Sequence, residues 1–499
     1  MEVTNTRAGA GDDPASPRPR VAAVLWLIVA IAICLKLLLD VVQQSFFLDG
    51  LIYASIARNL AEGVGTFWAP QFSKTLFPVF AEHPPLMMWL QSFAFRLFGD
   101  TVIIDKLFSL TTFAASLAII AMIWLRLNGA DAELRRGIPF VMVLTIIAGR
   151  FAWGFANGLL ENLLIVFTSL AVFCVVAAYD GQSTGRRLCF LVAAGLLTAL
   201  ALMTKGPVGL FPLAAPGIYW LSFRRPTLVV ALVDTVTIGA VIVGLFAVMW
   251  SMEGPRGTIE RYVSAQILTS LSGERGHNGS GIAALRTFVR VNAYPLLLTA
   301  VVFFIGRRAA RPLQDGTLRR DRMNRIVFFS LTGFSASLPL LLAPRVSSFY
   351  FNPSLPYFAA GLAIVCTPVL WRMLSGLPER LLRKTQWLLA GLLGLSLFWV
   401  VFHLGQPGQY SVTIDNAEKV ASEVCSPQVP CDAIVSTCGS VHGDWLFHAY
   451  LQRNFRISLD DPAAPQHDYL LASDDCALGM TGYRETGVSV APYRLLRRG

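Results

Sequence analysis

Residues 43–63 read QQSFFLDGLIYASIARNLAEG and follow directly on a hydrophobic segment at residues 21–40. That segment is long enough to cross a bilayer as a helix, which takes about 20 apolar residues. Asp49 lies just beyond it, and residues 50–62 have the pattern of an amphipathic helix. Because a carboxylate at the mouth of a membrane span is costly, this stretch predicts a structured and functional loop at a membrane surface.

The composition of the whole chain agrees with a membrane protein. Of its 499 residues 55% are hydrophobic and only 14% are charged, and the mean hydropathy is +0.57. These values exclude an ordinary soluble globular protein and predict a polytopic membrane protein. We predict about 11 transmembrane helices (range 11–13), at residues 21–40, 103–125, 138–150, 163–179, 188–204, 207–222, 227–250, 288–306, 326–343, 354–371 and 385–403.

The distribution of Lys and Arg predicts the orientation of these spans. With the N-terminus inside, the five inside loops hold 18 Lys and Arg in 56 residues, whereas the first outside loop, 41–102, holds three in 62. This asymmetry follows the positive-inside rule and leaves the C-terminus outside. The net charge of +10 is therefore assigned to cytoplasmic anchoring, and without a basic-aromatic groove pattern no nucleic-acid partner is expected.

Three regions are predicted along the chain. Residues 1–20 are polar and rich in proline and predict a disordered cytoplasmic segment. Residues 21–403 form the membrane domain, with long outside loops at 41–102 and 251–287. Residues 405–499 predict a small extracytoplasmic α/β domain, because AIVSTCG and HDYLLASDD are strand-like and GDWLFHAYLQRNF is helix-like.

The cysteines support the assignment of this last region to an oxidising compartment. Four of the eight fall within spans, where small apolar side chains are expected. The other four all fall in the C-terminal region and predict two disulfides, with the pairing left open: Cys425, Cys431, Cys438 and Cys476.

Charged residues at the predicted outer ends of the spans form a short group from separate parts of the chain. They are Asp49, Glu82, His83, Glu161, Lys205 and Arg345. Charges at membrane depth or at span mouths mark functional sites by default. Their concentration on one side also argues against a transporter, which would place charges at the bilayer midplane.

Most of these residues have a structural alternative. Asp49 is also a favoured N-cap for a helix over 50–62. Glu82 and His83 could be a solvated turn held by the two prolines that follow, and Lys205 and Arg345 could anchor spans at the interface. Glu161 has the weakest alternative, because Asn157 is better placed to cap the span at 163–179.

Two carboxylates and several cations around one external cavity predict group transfer. The cations would hold a phosphate or pyrophosphate, and a carboxylate would deprotonate an acceptor hydroxyl or amine.

The sequence motifs that contain these charged residues resemble those of a known family. The acid after the first span, EHPPLMMW (82–89), LMTKGPVGLFP (202–212) and RVSSFYFNPSLPYF (345–358) are similar to the GT-C membrane glycosyltransferases. The branch resembled contains the lipid A aminoarabinose transferase and the protein O-mannosyltransferases that use polyprenyl-phosphate or dolichyl-phosphate mannose. The resemblance covers most of residues 25–403 and implies a GT-C fold.

The resemblance also implies roles for individual residues. Asp49 is expected to be the principal catalytic aspartate, and Glu161 is expected to be the second acidic residue of the site. Glu82 and, in the later outside loop, His277 are the candidate ligands of a divalent metal (Mg, Mn or Zn), and no other cofactor is expected. The donor phosphate and lipid would contact His83, Lys205, Arg345, Tyr350, Tyr53 and Arg58.

Two positions next to Asp49 depart from the pattern of the family. The family usually has Asp-Glu after its first span, and this chain has Asp49-Gly50. The aminoarabinose branch has an arginine three residues after its aspartate, where this chain has Ile52.

The resulting functional hypothesis is a monomeric, multi-pass glycosyltransferase of a bacterial inner membrane with its active site in the periplasm. It would move a sugar from a polyprenyl-phosphate donor to lipid A, the lipopolysaccharide core or another envelope glycan, with Asp49 as general base. A lipid-linked sugar flippase, a protein O-glycosyltransferase and a ligase using a pyrophosphate-linked glycan are the alternatives.

Overall fold

A computed structural model describes residues 19–180, 183–269, 281–306, 316–341, 343, 346–425, 431–460, 466–476 and 482–499, apart from the side chain of residue 267. Two predicted site residues, His277 and Arg345, lie outside the described residues. So does most of the predicted N-terminal segment 1–20, although its last two residues already begin the first helix.

The described chain is mostly helical, as predicted. The long helices of the membrane domain are α1 (Pro19–Val41), α4 (Val102–Asn128), α7 (Leu160–Tyr179), α8 (Thr184–Lys205), α10 (Leu228–Trp250), α12 (Gly281–Gly306), α13 (Gly316–Leu341), α14 (Leu355–Ser375) and α15 (Glu379–Phe402). The shorter ones are α2 (Leu48–Ala61), α3 (Leu86–Phe98), α5 (Ile138–Ile147), α6 (Phe151–Ala156), α9 (Ala215–Phe223) and α11 (Glu253–Tyr262).

Eight helical runs among the described residues are long and apolar enough to cross a membrane. One of them, Thr184–Phe223, contains two predicted spans, 188–204 and 207–222, joined by a 3₁₀ segment at Gly206–Ala214. The two remaining predicted spans, 138–150 and 326–343, fall on α5 and α13. Every predicted span therefore overlaps a described helix, although α5 has only 10 residues and ends before residue 150. The polytopic helical architecture is confirmed.

The two helices predicted in the first outside loop are present as α2 and α3, but α2 is not amphipathic. Every residue from Gly50 to Leu60 is buried. The face of α2 that was expected to meet water is covered by the C-terminal region, whose helix α17 (Trp445–Phe455) packs on α2. The sequence pattern could not reveal this cover, because it comes from chain about 400 residues away.

The C-terminal region is the small α/β unit that was predicted. Helices α16 (Ser411–Val424) and α17 accompany a five-stranded sheet of order β4-β3-β5-β7-β6, in which β3 is parallel to β4 and β5, and β7 is antiparallel to β5 and β6. The strands are β3 (Ile434–Cys438), β4 (Ser458–Leu459), β5 (Tyr469–Ala472), β6 (Tyr483–Val490) and β7 (Tyr493–Arg498), and a small hairpin in the first outside loop supplies β1 (Gly65–Thr66) and β2 (Ala69–Pro70). The two expected disulfides are present as Cys425–Cys431 and Cys438–Cys476.

The C-terminal unit and the first outside loop share one hydrophobic core. A single cluster of buried side chains contains Ile56 of α2 and Met88 of α3 together with Phe447 and Leu451 of α17. Arg453, on the same helix, forms ion pairs with Asp100 (2.8 Å) and Asp105 (3.0 Å) at the start of α4. Apolar packing and buried charge pairing therefore both fix the sheet unit on the membrane domain.

Replacing Arg453 should weaken this docking. In Arg453→Met two carboxylates lose their buried partner, and removal of one member of a buried pair typically costs about 3–5 kcal/mol. We expect the thermal unfolding midpoint of the detergent-solubilised protein to fall by several degrees. Arg456→Met is the matched control, because Arg456 is 35% exposed where it pairs with Glu62 and should change stability by less than about 1 kcal/mol. Equal midpoints for the two variants would contradict the buried role of Arg453.

Candidate functional site

Asp49 lies in the first turn of α2, where a carboxylate interacts favourably with the positive end of the helix dipole. It is not the N-cap. The helix begins at Leu48, and the N-cap residue is Phe47, which has extended backbone angles and no side-chain cap. The structural alternative that Asp49 is the N-cap of this helix is therefore wrong, and its carboxylate is half-buried within the first helical turn.

Gly50 explains the first departure from the family pattern. A Cβ at this position would overlap the backbone carbonyl oxygen of Asn157 and the ring of Phe46. The segment before α7 thus packs directly against the first turn of α2. Any side chain at position 50 would push the turn that holds Asp49 away from the segment that leads to Glu161.

Tyr53 lies at the centre of the predicted site residues. It follows Asp49 by four positions, which places both side chains on one face of α2, and it is buried. Burial, and then the nearby charges of Asp49, Glu161 and Glu82, raise the pKa of the Tyr53 phenol well above its usual value. Tyr53 is therefore a neutral hydroxyl among carboxylates, able to donate a hydrogen bond.

Glu82 and His83, in the first outside loop, also lie near Tyr53. The ring of His83 lies 5.9 Å from the ring of Tyr53, edge to face. Gln266, in the helical turn after α11, donates a hydrogen bond from Nε2 to Oε2 of Glu82 at 2.5 Å. Pro85 is the N-cap of α3, so the helix begins immediately after the Glu82–His83 pair, as the sequence predicted.

Glu161 and Lys205 form a buried ion pair between the start of α7 and the end of α8. Glu161 is 1% exposed and accepts a hydrogen bond on Oε1 from the ammonium group of Lys205. The Lys205 ammonium also lies 4.5 Å from the ring centre of Tyr350 and 5.7 Å from that of Phe349, so it makes cation–π contacts with both. Asn157 does not cap α7 but accepts a hydrogen bond from the Phe47 amide at 2.8 Å.

The chain must turn sharply immediately after Lys205. Gly206 has φ +72°, a conformation that favours glycine, and a Cβ there would overlap the hydroxyl oxygen of Tyr262. Burial raises the pKa of Tyr262 to about 12, so this hydroxyl is also neutral at physiological pH. The break predicted from the sequence is confirmed, and Tyr262, which the sequence did not single out, closes over it.

Seven of the predicted site residues are thus linked by contacts or electrostatics around Tyr53 and Lys205. They are Asp49, Tyr53, Glu82, His83, Glu161, Lys205 and Tyr350. These residues come from five separate stretches of the chain. Five of the six charged residues grouped at the predicted outer ends of the spans are therefore linked in space, and the sixth, Arg345, lies outside the described residues.

Arg58 does not join this group. It follows Tyr53 by five positions, so its side chain points roughly 140° away around the helix. Its guanidinium is 1% exposed and donates from Nη1 to the backbone carbonyls of Gln452 (2.9 Å) and Arg453 (2.8 Å). Burial, and then the neighbouring charge of Arg453, lower the pKa of Arg58 to about 10, which still leaves it charged at neutral pH. The guanidinium of Arg58 therefore binds backbone carbonyls near the C-terminal end of α17 and is not placed to bind a donor phosphate.

One exposed cation near the site was missed by the sequence analysis. Arg150 follows α5, and its guanidinium stacks on Trp153 at 4.6 Å from the ring centre. Trp153 in turn packs against Phe47 and Phe349, which border the site. The sequence carries a signal for this residue, because Arg150 is a charge at the end of the predicted span 138–150.

A small apolar cavity of about 160 Å³ opens beside the charged group. Its lining includes Pro84 and Pro85 of the first outside loop, Gly206 and Pro207 of the turn after Lys205, and Tyr262. None of its lining residues is charged, but Gly206 directly follows Lys205, so the apolar space lies along the turn after this cation. An apolar space near a cation suits an amphipathic, phosphate-bearing lipid.

The metal expectation finds no support in the described residues. No group of three or more His, Cys, Asp or Glu in this part of the chain could hold a metal ion. Glu82, the candidate ligand, is hydrogen-bonded by Gln266, and His277 lies outside the described residues. The divalent metal therefore stays a prediction.

Comparison with solved structures establishes the fold. ArnT from Cupriavidus metallidurans bound to undecaprenyl phosphate matches over 94% of this chain and 97% of its own, with 16% identity and a TM-score of 0.62. The apo state of the same protein matches over the same shares with 15% identity and a TM-score of 0.60. The likeness to this aminoarabinose transferase confirms the predicted GT-C fold.

A further likeness is to the archaeal oligosaccharyltransferase AglB from Archaeoglobus fulgidus, in complex with an inhibitory peptide and a dolichol-phosphate. It covers 91% of this chain and 69% of that protein, with 12% identity and a TM-score of 0.45, which is too low to establish a shared fold. No protein-family model matches the sequence, and no curated protein matches it.

The Gly50 contact leads to a direct test. Gly50→Ala should distort the first turn of α2 and lower the yield of folded protein and its thermal midpoint, because backbone rather than a flexible side chain opposes the new Cβ. Gly50→Glu, which restores the residue common in the family, should be at least as damaging. The control is Gly217→Ala on α9, where nothing lies within 4 Å of the new atom. If the Gly50→Glu protein were as stable as the parent, the close approach of Asn157 to the first turn of α2 would be refuted.

Proposed function

We propose that this protein is a membrane glycosyltransferase that moves a sugar from a polyprenyl-phosphate donor to an acceptor of the bacterial envelope. The active site faces the periplasm, as the distribution of Lys and Arg predicts. The observation that carries the proposal is the juxtaposition of Asp49 with the buried Glu161–Lys205 pair around Tyr53, at the outer ends of spans in a GT-C fold.

The donor phosphate binds at Lys205 in this proposal. The ammonium group is held at a sharp turn, next to an apolar cavity and against the ring of Tyr350. His83 adds a second hydrogen-bonding group beside Tyr53. ArnT was crystallised with undecaprenyl phosphate, a ligand of the chemistry that such a site accepts. Burial strengthens the attraction between an ammonium and a phosphate, because the surroundings screen it less than water does.

Asp49 is the proposed general base. The acceptor oxygen or nitrogen attacks the anomeric carbon, and the bond from that carbon to the phosphate oxygen breaks. The polyprenyl phosphate leaves with the electron pair, and Asp49 takes the acceptor proton. The neutral Tyr53 hydroxyl, one turn further along the same helix face, can orient the carboxylate by hydrogen bonding.

Glu161 has a different task because its carboxylate is already engaged by Lys205. It holds the ammonium at the turn before donor binding and limits the cost of burying that charge. When the phosphate arrives, Lys205 can share its three donors between the two anions. Glu161 is therefore a positioning residue in this scheme, and Asp49 is the carboxylate that takes the acceptor proton.

The acceptor is proposed to be lipid A, the lipopolysaccharide core or another envelope glycan. The likeness of the chain to ArnT over nearly the full length of both proteins, including the C-terminal unit, favours an acceptor of this class over a protein. Mass spectrometry of envelope glycolipids from a deletion strain and its parent tests the assignment. A missing sugar mass would identify both donor and acceptor, whereas identical glycolipid profiles would argue against it.

Replacing the base should stop transfer without unfolding the protein. We expect Asp49→Asn to be produced normally and to transfer sugar at least about 100-fold more slowly, which is the usual scale of general-base catalysis. The matched control is Asp415→Asn, because Asp415 is exposed and pairs only locally with Lys419. Full transfer by Asp49→Asn, measured in membranes from the complemented deletion strain, would exclude the role assigned to Asp49.

The role of Lys205 needs a double variant. Lys205→Met alone leaves the Glu161 carboxylate buried without its cation and should destabilise the protein by about 3–5 kcal/mol. The Lys205→Met, Glu161→Gln protein removes both charges and should fold, yet bind undecaprenyl phosphate at least about tenfold more weakly. Glu161→Gln alone is the control: it also removes one charge of the buried pair and should lose stability, but its folded fraction keeps Lys205 and should keep phosphate binding. Equal dissociation constants for the double variant and the parent would show that Lys205 does not hold the phosphate.

A further inference from the structure

The segment Ser45–Phe47, which leads into the helix that bears Asp49, is held by a residue of the C-terminal unit. The hydroxyl oxygen of Tyr450 accepts a hydrogen bond from the Phe46 amide at 2.8 Å, and the same hydroxyl donates to the Phe46 carbonyl at 3.1 Å. Tyr450 belongs to α17, is 1% exposed and lies 404 positions along the chain from Phe46. One side chain of the sheet unit thus satisfies both backbone groups of a residue three positions before Asp49.

Two further side chains hold the neighbours of Phe46. Lys106, which is buried on α4, donates to the carbonyl of Ser45 at 3.1 Å and to that of Ala156 at 3.1 Å. Its ammonium also lies 4.2 Å from the ring centre of Phe46. Lys106 therefore joins the segment before Asp49 to the segment before Glu161, and the Phe47–Asn157 hydrogen bond runs in parallel with it.

The helix that carries Tyr450 cannot move independently of the membrane domain. Arg58 of α2 donates to carbonyls near the end of α17, and Arg453 of α17 pairs with Asp105, the residue next to Lys106. Tyr450 precedes both attachments by less than one turn of the same helix. Its hydroxyl is consequently a fixed point against which the Ser45–Phe47 segment is placed.

We propose that the C-terminal unit is part of the catalytic apparatus and that Tyr450 is a positioning residue for Asp49. Acting through the Phe46 backbone, it sets the distance from the Asp49 carboxylate to the Glu161–Lys205 pair. The inference rests on the proposed function, because it assumes that Asp49 is the base. Catalytic geometry is sensitive to such supports, since a displacement of about 1 Å can slow a reaction roughly 100-fold.

Tyr450→Phe tests this inference, because it removes one oxygen atom and keeps the ring in the core. Tyr469→Phe is the matched control. Tyr469 lies in β5 of the same unit, and its hydroxyl donates to the Glu423 carbonyl at 3.0 Å, inside the sheet unit itself. Both variants lose a tyrosine hydroxyl bound to backbone in the same unit, but only Tyr450→Phe releases the segment before Asp49.

Three measurements separate positioning from general stability. We expect Tyr450→Phe to lower sugar transfer in complemented membranes by roughly 10- to 100-fold, while the dissociation constant for undecaprenyl phosphate stays within about twofold of the parent. Amide hydrogen exchange of residues 45–51 should accelerate in Tyr450→Phe and not in Tyr469→Phe. Tyr469→Phe should retain parental transfer. If Tyr450 had only a structural role, the folded yield, the phosphate binding and the sugar transfer would all fall in the same proportion.

The outcomes also separate this inference from the proposed function. If Asp49→Asn abolishes transfer and Tyr450→Phe leaves it intact, the positioning role is refuted and the proposed function stands. Unchanged amide exchange at residues 45–51 in Tyr450→Phe refutes the positioning role whatever the activity. If Asp49→Asn transfers normally, Asp49 is not the base, and both the proposed mechanism and the inference built on it fall.

Discussion

The ion pair between Glu161 and Lys205 is the interaction that joins the candidate site to the helix packing of the membrane domain. Neither charge could be buried alone at an affordable free energy, because a desolvated ion costs several kcal/mol. Pairing makes it possible to keep an ammonium group at the sharp turn after α8, beside an apolar cavity and the ring of Tyr350. The same pair ties the start of α7 to the end of α8, so the site and the helix packing share one constraint.

The helix that bears Asp49 shows a second use of buried polar groups. The chain before it has no regular secondary structure, and its backbone amides and carbonyls need partners. Side chains supply them from three distant places, namely Lys106 of α4, Asn157 before α7 and Tyr450 of α17. Because each partner belongs to a different element, the position of Asp49 depends on the packing of both the membrane domain and the sheet unit.

Much of the fold and part of the site could be predicted from local patterns. Hydrophobic length located the spans, and the Gly206–Pro207 pair located the break between two of them. Charge at span mouths identified Asp49, Glu82, His83, Glu161 and Lys205 as neighbours. Arg58 is an exception, because a charged side chain on a helix of the first outside loop can equally bind the backbone carbonyls of another helix. Only the direction of its side chain distinguishes the two cases.

The sequence by itself determined the helical membrane architecture, the α/β character of the C-terminal region and a group of charged residues that lie together in space. These properties depend on hydrophobic length, residue period and charge, which are local quantities. The tertiary structure alone decided that α2 is buried on every face, that Gly50 must lack a side chain and that Tyr450 meets Phe46. Each of these depends on contacts between residues 100 or more positions apart, and no local pattern records such contacts.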